Sequence, residues 1–134
     1  MSAEDLDEET LAFASRMFDL ARSGAAEELA GYVDAGLPVD LTNDRGDTLL
    51  LLAAYHAHPD AVRVLLARGA DTSRTNDRGQ TPLAAAVFRR SSEVVTALLA
   101  AGADPDAGSS SARETARFFE LPEMEALLPR DPRG

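Results

Sequence analysis

Apolar positions recur at steps of three and four along most of this chain, and glycine or proline interrupts each run. Leu11, Ala14, Met17, Phe18 and Ala21 share one helical face, and Ser23-Gly24 ends that run. A second run over residues 25–35 brings Leu29, Tyr32 and Val33 together before Gly36, and glycine is favoured just past a helix end. Thr48 is a candidate N-cap for a helix to about residue 56, and Pro59 opens another that Gly69 closes. Thr81-Pro82 is a stronger start: the hydroxyl accepts from a free helical N–H, and proline sits where no N–H is needed. The paired helix covers about 92–101 and ends at Gly102. Helices this short are unstable alone in water, so packing against neighbours must supply the stability.

The pattern is a repeat. Thr42-Asn43-Asp44-Arg45-Gly46 returns as Thr75-Asn76-Asp77-Arg78-Gly79, an offset of 33 residues. Leu65-Leu66 and Gly69-Ala70-Asp71 recur as Leu98-Leu99 and Gly102-Ala103-Asp104. Fifteen of the 33 positions in 42–74 are identical in 75–107, where unrelated segments would share about two at average residue usage. A fixed period of this size marks a solenoid. Leu29, Val33 and Gly36 lie one period before Val62, Leu66 and Gly69, so residues 10–41 form a divergent first unit, as a terminal unit facing water should. After Asp104 the pattern decays. Residues 112–120 read as a helix, and Pro122 starts a last short one carrying Met124, Leu127 and Leu128. Leu128 follows Leu99 by only 29 residues, which predicts a truncated capping unit over 108–128. The organisation is therefore an acidic tail (1–9), one domain (10–128) and a disordered tail (129–134). Between units, 40–47 and 73–80 are polar and rich in turn formers, predicting hairpin-like fingers with Asp44-Arg45 and Asp77-Arg78 at their tips.

Charge and composition narrow the function. Net charge is −10, the wrong sign for a phosphate-backbone reader or an anionic membrane. Cysteine is absent, which excludes disulfides, thiolate zinc sites and thiol nucleophiles. No secretory signal or membrane span is evident, so a cytoplasmic protein is expected. Ser91-Ser92 and residues 109–111 lie in turns with no histidine nearby, and no P-loop appears. Asp60 and Glu93 recur at one position, which suits the first turn of the second helices. No catalytic residues, cofactor or metal are predicted. His56 and His58 are two apart, whereas ligands on one helical face want three or four.

Gly79-Gln80-Thr81-Pro82-Leu83, then Val95, Leu98 and Leu99, then Gly102-Ala103-Asp104 resemble the ankyrin repeat. Gly46-Asp47-Thr48-Leu49-Leu50-Leu51-Leu52-Ala53-Ala54 matches too, with Leu49 and Leu51 replacing the family's proline and histidine. The resemblance covers about residues 10–128 and is closest in kind to small, four-repeat bacterial ankyrin proteins. It implies an all-α ankyrin-repeat solenoid of stacked antiparallel helix pairs with β-hairpin-like fingers. Neither central unit has the histidine that commonly hydrogen-bonds adjacent fingers, since Leu51 and Ala84 stand there. The departure bears on finger rigidity and not on the fold. His58 matches the family's structural turn histidine.

The resemblance also implies protein binding through the fingers and the concave face of the first helices. Position by position, that surface takes Arg22 from the first unit. The second unit contributes Asp44, Arg45, Asp47, Tyr55 and His56. The third contributes Asp77, Arg78, Gln80, Phe88 and Arg89. Tyr55 and Phe88 are one period apart, so their rings should lie side by side. They either pack between units or, because alanine-rich helices leave little room inside, anchor a partner. The expected function is a non-catalytic interaction module, monomeric, with a protein partner and no nucleic acid or membrane. The alternative is an accessory subunit that stabilises or tunes an enzyme, such as a stress-response enzyme.

Overall fold

A computed structural model describes residues 8–131. It contains four antiparallel helix pairs: α1 (Glu8–Ser23) with α2 (Ala26–Asp34), α3 (Leu49–Tyr55) with α4 (Pro59–Ala67), α5 (Pro82–Phe88) with α6 (Ser92–Ala100), and α7 (Ala112–Phe118) with α8 (Pro122–Glu125). The first helices stack in the order α1, α3, α5, α7, and the second helices in the order α2, α4, α6. The layers form one solenoid, as the repeat implied. Of the expected acidic tail, residues 1–7 lie outside the described residues, and Glu8 and Glu9 open α1. Carboxylates there face the positive end of the helix dipole.

The repeat explains the stacking. Leu50 and Leu83, one period apart, have no exposed surface, and neither do Val62, Val95, Leu65 and Leu98. Each fully buried aliphatic side chain is worth about 1.5–3 kcal/mol. Alanines at 53, 54, 85 and 86 keep α3 and α5 thin, so neighbouring layers approach closely. Thr48 Oγ1 accepts from Leu51 N at 3.0 Å, Thr81 Oγ1 from Ala84 N at 3.1 Å, and Ser111 Oγ from Glu114 N at 3.1 Å. These caps satisfy N–H groups that the short helices cannot pair internally.

The first helix of each central pair ends on a left-handed residue that is not glycine. Ala57 and Arg90 have φ of 58°, and Glu120 follows at 53°. At each, the next amide closes the turn: His58 N to Ala53 O at 2.9 Å, Ser91 N to Ala86 O at 3.1 Å, and Leu121 N to Ala116 O at 2.8 Å. Glu120 lies 30 residues after Arg90, and Ser111 lies 30 after Thr81. The capping unit is therefore shortened by three residues between Asp104 and Ser111, and Leu128 aligns with Leu98 rather than Leu99. Arg113 occupies the place of Leu50 and Leu83. It is only 4% exposed, and its Nε lies 2.9 Å from Asp106 Oδ1 and 3.8 Å from Asp131 Oδ2. Asp131 also lies 3.6 Å from Arg117. Asp131, within the stretch expected to be a disordered tail, thus lies beside α7. Residues 132–134 lie outside the described residues.

The fingers hold themselves. Asn43 Oδ1 accepts from Arg45 N (2.9 Å) and Asp47 N (3.0 Å). Asn76 Oδ1 repeats this with Arg78 N and Gln80 N, both at 3.0 Å. Between fingers, Asp77 N donates to Arg45 O at 3.0 Å, and Asn76 Nδ2 donates to Asp47 Oδ1 at 2.9 Å. The Asn76 amide and the Asp77 main chain supply the cross-finger bonds for which the Leu51 and Ala84 side chains have no polar atom. Among the described residues the pairing reaches only one isolated antiparallel bridge, Thr42 with Thr48. No described helix is long and apolar enough to cross a membrane.

Candidate protein-binding surface

The fingers and the exposed ends of α3, α5 and α7 enclose a groove with two adjoining hollows of about 450 and 490 Å³. Eight of the eleven predicted site residues, all but Asp44, Phe88 and Arg89, line the first hollow. Phe88 lines the second, which shares Tyr55, Arg78 and Gln80 with the first. Arg89 stands over Tyr55, its Cζ 5.7 Å from the ring centre. Asp44 is exposed at its finger tip and lines neither hollow.

Tyr55 and Phe88 are neighbours, with ring centres 6.3 Å apart and planes within 13°. The row continues into a part of the chain that the 33-residue register did not reach. Phe119 meets Phe88 edge-on at 5.4 Å, and Phe118 meets Phe119 at 4.9 Å. Phe88, Phe118 and Phe119 are 45%, 80% and 47% exposed. Ala84 and Ala85 form the floor beneath them. The two phenylalanines escaped sequence reasoning because the last unit is three residues short. Shifting the register to 30 at Ser111 brings Phe118 to the place of Phe88.

The polar residues divide by task. Asp47 is nearly buried, and its carboxylate accepts from Asn43 Nδ2 at 3.3 Å and Asn76 Nδ2 at 2.9 Å. Gln80 Oε1 accepts from Asn76 Nδ2 at 2.9 Å. Both residues line the groove, yet the Asp47 carboxylate and the Gln80 Oε1 are engaged in finger pairing. Arg22 pairs with Asp19 at 2.8 Å. Its carbonyl accepts from His58 Nε2 at 2.7 Å, so His58 links the first two units. Gly24 makes this contact possible, because a Cβ there would come within 2.6 Å of the His58 ring. His56 packs edge-on against Tyr55 at 5.2 Å. Burial lowers its pKa below the ordinary value, and the charges of His58, Arg89 and Arg22 add to the effect. It faces the groove as a neutral ring near pH 7.

This surface has aromatic faces, guanidiniums and a preformed concavity, which suit polypeptide recognition. A family profile of ankyrin repeats in three copies matches residues 17–109. A Pseudomonas aeruginosa (PAO1) protein named for its ankyrin repeats is 48% identical over 60 residues, covering 45% of this chain and 35% of that relative. The chain thus matches about a third of the relative's length. Ankyrin repeats are in general protein–protein interaction modules and typically non-catalytic. The matched span holds both central units with their caps, fingers and buried leucines, and on that evidence the chain belongs to the ankyrin-repeat family.

Proposed function

We propose that this chain is a non-catalytic module that binds a protein partner in the groove between its fingers and its first helices. The observation that carries the reading is the row of half-buried Tyr55 and exposed Phe88, Phe119 and Phe118, which runs across three layers at ring spacings of 6.3, 5.4 and 4.9 Å. A contiguous exposed apolar patch of this kind marks an interaction surface. Phe88 and Phe119 are already pinned by neighbouring rings, and Tyr55 lies under Arg89. A partner therefore gains apolar contact while little side-chain freedom remains to be lost. The arginines around the row would orient the partner by charge.

The test is affinity capture with the wild-type chain and the Tyr55→Ala/Phe88→Ala variant. The double variant retains wild-type helicity by circular dichroism and captures the wild-type partner at least about tenfold more weakly, as loss of two anchor residues implies. Equal capture by both proteins removes these rings from the binding surface.

A further inference from the structure

All thirteen basic residues of this chain are arginines. Several on its outer faces are matched with carboxylates, Arg63 with Asp60 and Glu93, Arg68 with Asp34, and Arg117 with Glu125, while Arg16 and Arg90 form no ion pair among the described residues. Arg45, Arg78 and Arg89 form no ion pair among the described residues. Arg45 and Arg78 line the first hollow, Arg78 also lines the second, and Arg89 covers Tyr55. Carboxylates are not in short supply, because Asp and Glu outnumber Arg by ten. Those nearest the groove are largely engaged. Asp47 takes two asparagine amides, and Glu114 accepts from Ser111 Oγ at 3.1 Å. Asp77 shares the lining of the first hollow without pairing with these arginines.

We propose that the groove takes an acidic peptide segment. Its bulky apolar side chain rests on Ala84 and Ala85 against Phe88 and Phe119, and its neighbouring carboxylates meet Arg78 and Arg89. This rests on the groove being the binding surface and adds the chemistry of its occupant. Guanidinium presents a planar fork of donors that matches a carboxylate in two parallel hydrogen bonds. Glu114 also lines the second hollow, but no described carboxylate pairs with Arg78 or Arg89, so an incoming one completes them. A basic segment would instead face three guanidiniums. The chain's net negative charge does not forbid an acidic segment, because at physiological salt charges beyond about 8 Å are screened and the local sign governs. Nucleic acid could also stack on the rings, but a phosphate backbone brings charge along its whole length toward an acidic protein.

The experiment selects peptides from a random displayed library on the full chain, with counter-selection on the Phe88→Ala/Phe119→Ala variant. The recovered peptides carry Asp or Glu beside Phe, Tyr, Trp or Leu, and their binding weakens as salt rises. Arg78→Ala with Arg89→Ala lowers their affinity at least about tenfold with helicity unchanged. Asp77→Asn, which removes a like charge from the lining, tightens binding. Recovery of basic or uncharged peptides, of no peptide, or of peptides indifferent to the arginine pair overturns the proposal. If peptides depend on Phe88 and Phe119 but not on the arginines, the acidic occupant falls and the groove stands. If they depend on neither pair, both fall. Tighter binding of a single-stranded DNA oligonucleotide than of any recovered peptide also overturns it.

Discussion

His58 donates from Nε2 to the main-chain carbonyl of Arg22 across 2.7 Å, spanning 36 residues of sequence. The bond satisfies a carbonyl at the end of α1 that the helix cannot pair, and it joins the first two units. Replacing His58 by Ala leaves that carbonyl without its partner and costs about 1–2 kcal/mol, the range for a partly buried hydrogen bond left unmade. Urea unfolding monitored by circular dichroism measures the loss. Gly24→Ala should destabilise by displacing the same ring.

Ala57 and Arg90 hold left-handed dihedrals, φ 58°, at the ends of α3 and α5. A side chain there costs roughly 1–2 kcal/mol, while glycine gives back part of the gain through a freer unfolded chain. Ala57→Gly and Arg90→Gly are each expected to stabilise the protein by about 0.5–1 kcal/mol. Thermal melts of the single variants check the sign.

Arg113 takes the place of a buried leucine and depends on Asp106 at 2.9 Å. Removing the carboxylate strands a guanidinium that is 5% exposed. Asp106→Ala should therefore cost about 1–3 kcal/mol, with Asp131 limiting the damage. Arg113→Leu restores the apolar residue of the central units and should be close to neutral, as replacement of buried ion pairs often is. Equal destabilisation by the two changes would contradict this account of the cap.

Acid should weaken the fold in two stages. The pKa of His56 lies below its ordinary 6.5, mainly through burial. A depressed folded value means that the unfolded chain takes up the proton more readily. The stability contributed by His56 is therefore full above pH 6.5 and is lost as pH falls through its lower folded value. Asp34, through its hydrogen bond from Arg68, and Asp71, through those from Ser73, lie below the ordinary 3.8. Their contribution is full above pH 3.8 and disappears at lower pH. Urea midpoints across pH should show both limbs. His56→Gln should flatten the upper limb, and Asp34→Asn should reduce the lower one.

The helices, caps and fingers were largely legible because each is made by chemistry within a few residues. Thr48 and Thr81 cap the helices they precede, the asparagines fold their own turns, and buried leucines return on schedule. The last layer was read one residue out of register, because Leu128 looks like a partner for Leu99 until Ser111 and Glu120 are seen to share a different offset. The site was legible where it obeys the period, as in the pairing of Tyr55 with Phe88. It was not legible where the period breaks, as at Phe118 and Phe119.

By itself the sequence determined the repeat, the direction of each helix pair and the position of the fingers, since these follow from local propensity copied at a constant interval. Tertiary structure alone decided that Asp47 and Gln80 serve the fingers, that His58 reaches back to Arg22, and that Arg45, Arg78 and Arg89 are left without carboxylates. Which polar group meets which depends on distances between residues about thirty positions apart. Only the stacking of one layer on the next sets those distances.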